Sequence, residues 1–509
     1  MTSAFGLHFG STSACLALYK DGKVDVVAND AGERVTPAVV AFTDHDEAVG
    51  LSAKQGIIRN AANTVQNVKQ LLGCNFSDPA VKKMRQSSTA VIIDKNDQPM
   101  YDINFQGKQM LYSPLQIVHL IFKKLMGTAQ AHGDGDGDDA VLAVPLNFSH
   151  RQMKELSSGA ELAGFNILRV INEPSAALLA YDIGQTDIHE FGNVIVYKMG
   201  GSSLHLTIVN VSNGLYRIIS SIENDYIGGS LFDQVLVDHF VGEFKKKWGI
   251  EIKNSNRARY KLLNAAENCK HILSKMHEAH SFIESLHEGI DFQCQISRAR
   301  FDGLCSSLVQ RCMEPLVDIL NQSEMRRDDI SKVILCGGST KIPYLQQQIQ
   351  NYFPHAEMLF SIPPDEVVAV GAAKEASILT GNEEEAKLLE KCTDMPCIQK
   401  SIRIKFIEGC TDLAQPDIVF HSFTPFPVKR IIHAKLDEAA TRCDIHVLEG
   451  KYENTPLAHL MLDELPPQAL ISIVFHIRRE GSLHVTCSEK SSGKSCDVHI
   501  EFDVMEPEN

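Results

Sequence analysis

Residues 193–207 read NVIVYKMGGSSLHLT. The run Val194, Ile195, Val196 is β-branched and apolar, and a second apolar run (Leu204, Leu206, Ile208, Val209) follows a turn of two glycines and two serines. The pattern predicts strand, small-residue turn, strand. Gly200 and Gly201 allow the backbone to approach a ligand closely. Ser202 and Ser203 set short hydroxyls beside exposed N–H groups, a cradle suited to phosphate oxygens. The same residues would also make an ordinary hairpin turn, since short motifs carry a high false-positive risk.

The pattern occurs twice. Residues 5–30 read FGLHFGSTSACLALYKDGKVDVVAND. Again a short apolar run meets a small-residue turn, Gly10-Ser11-Thr12-Ser13, and an apolar strand follows. Each copy then has a tight turn, Asp21-Gly22 in the first and Asn213-Gly214 in the second. Both dipeptides are strong hairpin signals. Two similar hairpins about one domain-length apart imply an internal duplication. Facing each other, they would hold a nucleotide's phosphate chain between them.

The whole chain sets bounds on this reading. At 509 residues there is room for two or three domains. Composition, 44% hydrophobic and 22% charged, is that of a globular protein. No apolar run reaches transmembrane length, and the start MTSAFGLHFG lacks the pattern of a signal peptide. The 13 cysteines are scattered, odd in number and form no CxxC pair, so they suggest neither zinc nor a disulfide framework. Reduced thiols in the cytosol are the expectation. A net charge of −15 argues against a polyanion-binding surface, so direct DNA binding is not expected. Lys245-Lys246-Lys247 is a local basic run that a solvated helix face also explains.

Along the first half, strands alternate with helices. GERVTPAVVAF ends in a strand-like run, and residues 51–73 suit helical segments closed by Gly73. Residues 114–131 have helical spacing, with Ser113 as N-cap. DGDGDD at 134–139 resembles the opening of a calcium loop, but Pro145 stands where its Glu would be, so a solvated loop is expected. A strand at 140–144 precedes helix, strand (167–171), turn and a helix begun by Pro174. Helices follow over GGSLFDQVLVDHFVGEFKKKWG and residues 256–276. Residues 331–353 read as buried strand, glycine turn and helix, and a last helix ends at Gly381. Beyond Ser401 the chain turns to short alternating runs, an all-β module of about domain size.

Together, NDAGERVTPAVVAFTD, INEPSAALLAY, GGSLFD, CGGSTKIP and PPDEVVAVGAA resemble, in order, the signatures of the 70-kDa heat-shock protein chaperone family. GSLHVTCSEKSSGK resembles a signature of that family's β-rich domain. The resemblance implies an α/β fold: an actin-like, two-lobed ATP-binding domain at 1–383, a linker at 384–400, and a small all-β substrate-binding-like domain at 401–509 without a helical lid. It assigns ATP phosphates to Gly10, Ser11, Thr12, Lys69, Gly200, Gly201 and Ser202, and counts Glu173, Ser203, Gly228 and Gly229 among the ATP-binding residues. It assigns the nucleoside to Glu267, Lys270, Ser274, Gly337, Gly338, Ser339 and Lys341, and counts as ATP-binding also Asp365 and His271, the latter replacing an adenine-stacking arginine.

The departures are as informative as the matches. The resemblance places catalytic aspartates where this chain has His8, Lys198 and His205. In the family those carboxylates organise hydrated Mg²⁺ and the attacking water. Their loss implies slow or absent hydrolysis and puts Mg²⁺ in doubt, with Lys198 and Lys69 supplying charge in its place. The linker AKLLEKCTDMPC lacks the family's leucine-rich pattern. Both the short chain and the altered cleft resemble the family's ribosome-associated branch, whose lidless subunit pairs stably with a zuotin-type J-domain protein. That resemblance implies partners: the J-domain protein, the ribosome with its nascent polypeptide, and a conventional 70-kDa heat-shock chaperone. It places them in the cytosol, without a membrane.

Three functions follow for comparison. One is an ATP-binding chaperone subunit with weak or no hydrolysis. Another is an active ATPase chaperone that binds unfolded peptides through its own β domain. The third, an actin-like small-molecule kinase, leaves the β module unexplained. Plain structural readings stand beside these: His205 as a hydrogen-bonded cleft residue, His119 and His239 as helix-boundary residues, Cys15 and Cys336 as core thiols.

Overall fold

The computed structural model describes residues 3–132, 137–185, 191–212, 214–252, 256–380, 397–398, 400–408, 418–437, 440–450, 455–478, 481–489 and 492–501. The chain divides into two compact units, Met1–Gly214 with Ser221–Cys392, and Thr393–Asn509 with Leu215–Ser220.

The first unit is built twice from one plan. In its first half, β1 (Ala4–Phe9), β2 (Ser13–Lys20) and β3 (Lys23–Val26) form an antiparallel meander. The turn between β2 and β3 pairs Lys20 with Lys23 and puts Asp21 and Gly22 at φ 53° and 77°. Positive φ at both central residues is the hairpin geometry that Asp-Gly favours. Helix α1 (Pro114–His132) leads to β4 (Asp139–Val144), and α2 (His150–Leu162) leads to β5 (Asn166–Asn172). β4 runs parallel to β1, and β5 parallel to β4, giving the order β5-β4-β1-β2-β3. Helix α3 (Glu173–Ala180) follows.

The second half repeats this. β6 (Gly192–Met199), β7 (Leu204–Ser212) and β8 (Leu215–Asn224) precede helices α4 (Gly229–Trp248), α5 (Asn256–Lys275) and α6 (Arg298–Gln322). Then come β9 (Ile330–Cys336), α7 (Pro343–Tyr352), β10 (Glu357–Leu359) and α8 (Val367–Thr380). The sheet order is β10-β9-β6-β7-β8, the first sheet's order again. Val194, Ile195 and Val196 lie on the central strand and are buried, as an inner strand covered on both faces requires.

The halves meet backbone to backbone. A Cβ built on Gly371 of α8 would lie 1.7 Å from the Ala176 carbonyl oxygen of α3. One on Gly6 of β1 would lie 2.2 Å from the Ala369 carbonyl oxygen of α8. Any side chain at either position would force these elements apart. Helix starts follow the expected chemistry. Ser149 caps α2 in a capping box with Gln152, and Gln116 N donates to Ser113 Oγ at 3.3 Å before α1.

One stretch departs from the helical expectation. Residues 51–73 hold a helix, Leu51–Asn60, but Thr64–Gln66 is a strand paired with Val39–Phe42, and Val68–Leu71 is a 3-10 turn. The edge of that sheet captures the β-branched Thr64-Val65 pair, overriding a helical period. The Asn213 turn position, residues 134–136 of DGDGDD, Gly381 and nearly all of 384–400 lie outside the described residues.

The second unit is a β-sandwich. One sheet orders β12 (Ile418–Phe420), β11 (Ile402–Glu408), β14 (Cys443–Glu449) and β15 (Thr455–Leu462). The other orders β13 (Val428–Lys435), β16 (Leu470–Ile477), β17 (Leu483–Glu489) and β18 (Ser495–Ile500). Alternate residues such as Ile445, Val447, Ile473, Phe475 and Val485 fill the core between them. Among the described residues no helix lies beyond α8, and none is long and apolar enough to cross a membrane.

Candidate functional site

The two glycine turns occupy equivalent places in the duplicated hairpins. Gly10 N donates to Ser13 O at 2.8 Å, and Gly200 N to Ser203 O at 2.9 Å. The turns touch: a Cβ on Gly201 would lie 2.5 Å from Thr12 Cγ2. The N–H groups of Ser11, Thr12, Gly201 and Ser202 make no hydrogen bond among the described residues. Unpaired backbone donors in two adjoining glycine turns suit an anion.

The rest of the second turn's wall is built from three segments. Gly229 N and Ser230 N donate to Gly200 O and Gly201 O, each at 2.9 Å, at the start of α4. Gly228 packs so tightly on Gly201 and Ser202 that a Cβ there would lie 2.7 Å from their backbone. Ser339 Oγ donates to Gly200 O at 2.8 Å, and Gly337, at φ 82°, lets the chain pass against Met199. Gly338 packs near Asp365, whose carboxylate receives Lys341 Nζ at 2.6 Å. The other oxygen, Asp365 Oδ1, is buried and has no hydrogen-bond partner among the described residues.

On α5, Lys270 pairs with Asp233 at 2.8 Å and donates to Gly229 O at 3.3 Å. Glu267 pairs with Lys54 at 2.7 Å, and burial opposes while Lys54 favours a lowered carboxylate pKa. Burial and the charge of Lys270 pull His271 down to about 4. Ser274 Oγ turns back onto the Lys270 carbonyl at 2.9 Å within the helix. The structure thus gathers Gly229, Lys270 and Ser339 about Gly200, while Ser274 spends its hydroxyl locally.

Between the turns lies a buried charge cluster centred on Glu173, the first residue of α3. Lys198 donates to Glu173 Oε2. Lys69 Nζ stands 3.4 Å from Oε1 and donates to Phe9 O at 2.6 Å. His8 Nε2 lies 3.1 Å from the same Oε1. Burial would raise the Glu173 carboxyl, but Lys198 and Lys69 hold it well below the usual carboxylate range. Burial pulls Lys69 down to about 8 and His8 to about 4. His205, opposite Lys198 in the β6–β7 register, is pushed by burial to about 3 and bonds Ser203 Oγ at 2.9 Å. Lys198 and Lys69 thus pair with Glu173 at the floor, and burial favours the uncharged imidazoles of His8 and His205. Lys198 points into the cluster rather than to solvent, with 13% of its side chain exposed.

Several participants were not singled out from the sequence. Glu223 on β8 lies 3.2 Å from His205 and accepts from Asn147. Burial and nearby Asp225 push its carboxyl up to about 7. Gln70 Nε2 reaches Ser202 Oγ at 3.5 Å, and the Phe148 ring lies 5.1 Å from Lys69 Nζ. Asp233 sits inside the quoted motif GGSLFD, where its charge was the available signal; Glu223 had no motif to mark it.

Mg²⁺ prefers near-octahedral oxygen ligands, mostly waters and substrate phosphates, with one or two carboxylates beside them. Glu173 is engaged by two lysines and a histidine, and His205 stands in the only donor group of this unit, with Glu223 and Asp225, that gathers three metal-ligating side chains among the described residues.

A duplicated α/β unit with paired phosphate-type turns in its cleft, followed by a β-sandwich, defines the actin-like nucleotide-binding class with an appended β domain. The Hsp70 protein family model matches residues 4–509. The chain is 43% identical over 502 residues to heat shock 70 kDa protein 14 of Danio rerio, covering 98% of this chain and 99% of that protein. It is 42% identical over 509 residues to the Homo sapiens protein of the same name, with the same coverage. The chain belongs to the Hsp70 family of chaperones, a family that binds ATP.

Proposed function

We propose that this chain is an ATP-binding Hsp70-family subunit that holds nucleotide without efficient hydrolysis and works as the standing partner of a zuotin-type J-domain protein at cytosolic ribosomes. The observation that carries the reading is the floor of the cleft. His8, Lys198 and His205 stand where the family resemblance places aspartates, and Glu173 is tied to both lysines and to His8. Hydrolysis needs groups that position and deprotonate water. A buried imidazole at about 4 or 3 is a weak base, and an ammonium is none.

Binding needs less. The four unpaired N–H groups of the turns supply phosphate donors, and the buried Asp365 oxygen offers an acceptor on the nucleoside side. The pair of lysines adds positive charge, so the cleft is suited to retaining ATP rather than turning it over. Without a helix beyond α8 among the described residues, the β-sandwich suits a lasting partner that adds along a strand edge. In this reading the pair assists nascent polypeptides by stimulating a conventional 70-kDa heat-shock chaperone.

Purification from cytosol tests this. The expected result is a stoichiometric J-domain protein and sedimentation with ribosomes, both lost when residues beyond Ser401 are deleted. A monomer that cycles on unfolded peptide with brisk ATP turnover would favour the alternative, an active chaperone using its own β domain.

A further inference from the structure

The sandwich carries a cluster of metal-type donors on the side of one sheet turned away from the core. Cys443, Ile445 and Val447 of β14 point into the core, as do Leu460 and Leu462 of β15. The alternation of a strand therefore sends Asp444, His446 and His459 to the other side. His446 and His459 are directly opposite in register, and Asp444 is two residues along the same face. One donor atom from each of the three lies within 4.8 Å of the other two. His459 Nε2 stands 2.5 Å from Asp444 Oδ1, and the two imidazole rings meet edge-on with centroids 4.7 Å apart.

We propose that Asp444, His446 and His459 form a binding site for a divalent first-row transition ion, with Zn²⁺ the best match. Two imidazoles and one carboxylate are the donor set of borderline ions, whereas Mg²⁺ and Ca²⁺ take oxygen. Ligands of a tetrahedral zinc sit roughly 3.3 Å apart, by the usual bond lengths of about 2.0–2.1 Å. Donors gathered within 4.8 Å need only side-chain rotation to reach that spacing.

The surroundings support the carboxylate's role. Arg442 donates to Asp444 Oδ2 at 3.2 Å, which leaves Oδ1 as the oxygen directed at the histidines. Asp444 is 6% exposed, a buried anion on a sheet face. Among the described residues the His446 ring makes no hydrogen bond, so ligation would not displace one. Lys405 is the cation opposite His446 on β11, and its side chain is exposed enough to swing away. A bound ion would tie β14 to β15, with the fourth position left to water.

Titration of the full chain with Zn²⁺, read by calorimetry and by melting temperature, tests the site. Thiols elsewhere also bind zinc, so the comparison is between variants. His446→Gln and His459→Gln should each lose one equivalent of Zn²⁺ and the Zn²⁺-dependent rise in melting temperature of the sandwich. His433→Gln, on β13 in the other sheet, should lose neither. Co²⁺ should give the visible absorption of a nitrogen and oxygen site in the wild type, lost in both site variants. Unchanged stoichiometry and Co²⁺ spectrum in variants that still melt cooperatively would show a histidine–aspartate ion pair only, and would overturn the proposal.

Discussion

Lys198 at the end of β6 donates to the carboxylate of Glu173, the first residue of α3, and so joins the two halves of the duplicated unit at the floor of the cleft. Both side chains are largely withdrawn from water, Glu173 to 3% exposure and Lys198 to 13%. Removing one member of a buried pair strands the other charge, typically at a cost of about 3–5 kcal/mol. Here the stranded charges would be two, Lys198 and Lys69. Glu173→Gln is expected to lower the melting temperature, and ATP, whose phosphates replace the lost anion, should restore it. The ATP-induced rise should exceed that of the wild type in thermal melts. An equal or smaller rise would mean that the lysines do not meet the phosphates.

The fate of Lys198 shows where sequence reading ends. The duplicated hairpins were legible because strand, glycine turn and strand are local patterns, and the register of Lys20 with Lys23 follows from Asp-Gly alone. That Gly10 and Gly200 would serve equivalent turns was legible for the same reason. The partner of Lys198 was not. Glu173 lies on another element, and only the packing of α3 between the sheets brings it there. The strand Thr64–Gln66 was missed because its reason for existing is the edge of Val39–Phe42, more than twenty residues earlier. Glu223 was missed because it has no motif, only a place beside His205.

His8 gives the cleft a pH signature. Its pKa falls from 6.5 to about 4, chiefly through burial, against the opposing pull of Glu173 and with Lys198 and Lys69 adding to the fall. The unfolded chain therefore takes up this proton first as pH drops. The contribution of His8 to stability is complete above 6.5 and is lost as pH falls toward 4, at up to about 1.36 kcal/mol per pH unit. His8→Asn should lose stability less steeply than the wild type between about pH 6.5 and about pH 4.5 in urea titrations. Parallel slopes would contradict the assignment.

Gly201 is the point where the turns touch. With Thr12 Cγ2 at 2.5 Å and Oγ1 at 2.7 Å from a built Cβ, even a methyl group must displace the Thr12 side chain at the seam between the turns. Gly201→Ala is expected to weaken ATP binding about tenfold, or ~1.4 kcal/mol, and Gly201→Asp more, by adding an anion. Gly56→Ala, where a Cβ meets nothing within 4 Å, should leave it unchanged. Equal affinities in direct ATP titration would place the nucleotide elsewhere.

Magnesium dependence follows from the same charges. A unit charge pair at about 4 Å is worth roughly 4 kcal/mol at an effective dielectric of 20, before desolvation. Lys69 and Lys198 can supply part of what Mg²⁺ would bring, and Glu173 already engages both. ATP affinity in EDTA is expected to fall within about tenfold of that in Mg²⁺. Lys198→Asp should weaken metal-free binding and make it metal-dependent. A large loss in EDTA for the wild type would refute the exchange of lysine for metal.

The most direct measurement is single-turnover hydrolysis of bound, γ-labelled ATP in the presence of a J-domain protein. Loss of one well-placed electrostatic group typically costs about 10²–10³ in rate, and here the positions change as a set. With imidazoles at His8 and His205 and an ammonium at Lys198, the bound ATP should remain intact over many times the turnover period of a conventional family member, with or without the J-domain. Prompt release of labelled phosphate, accelerated by the J-domain, would contradict the account.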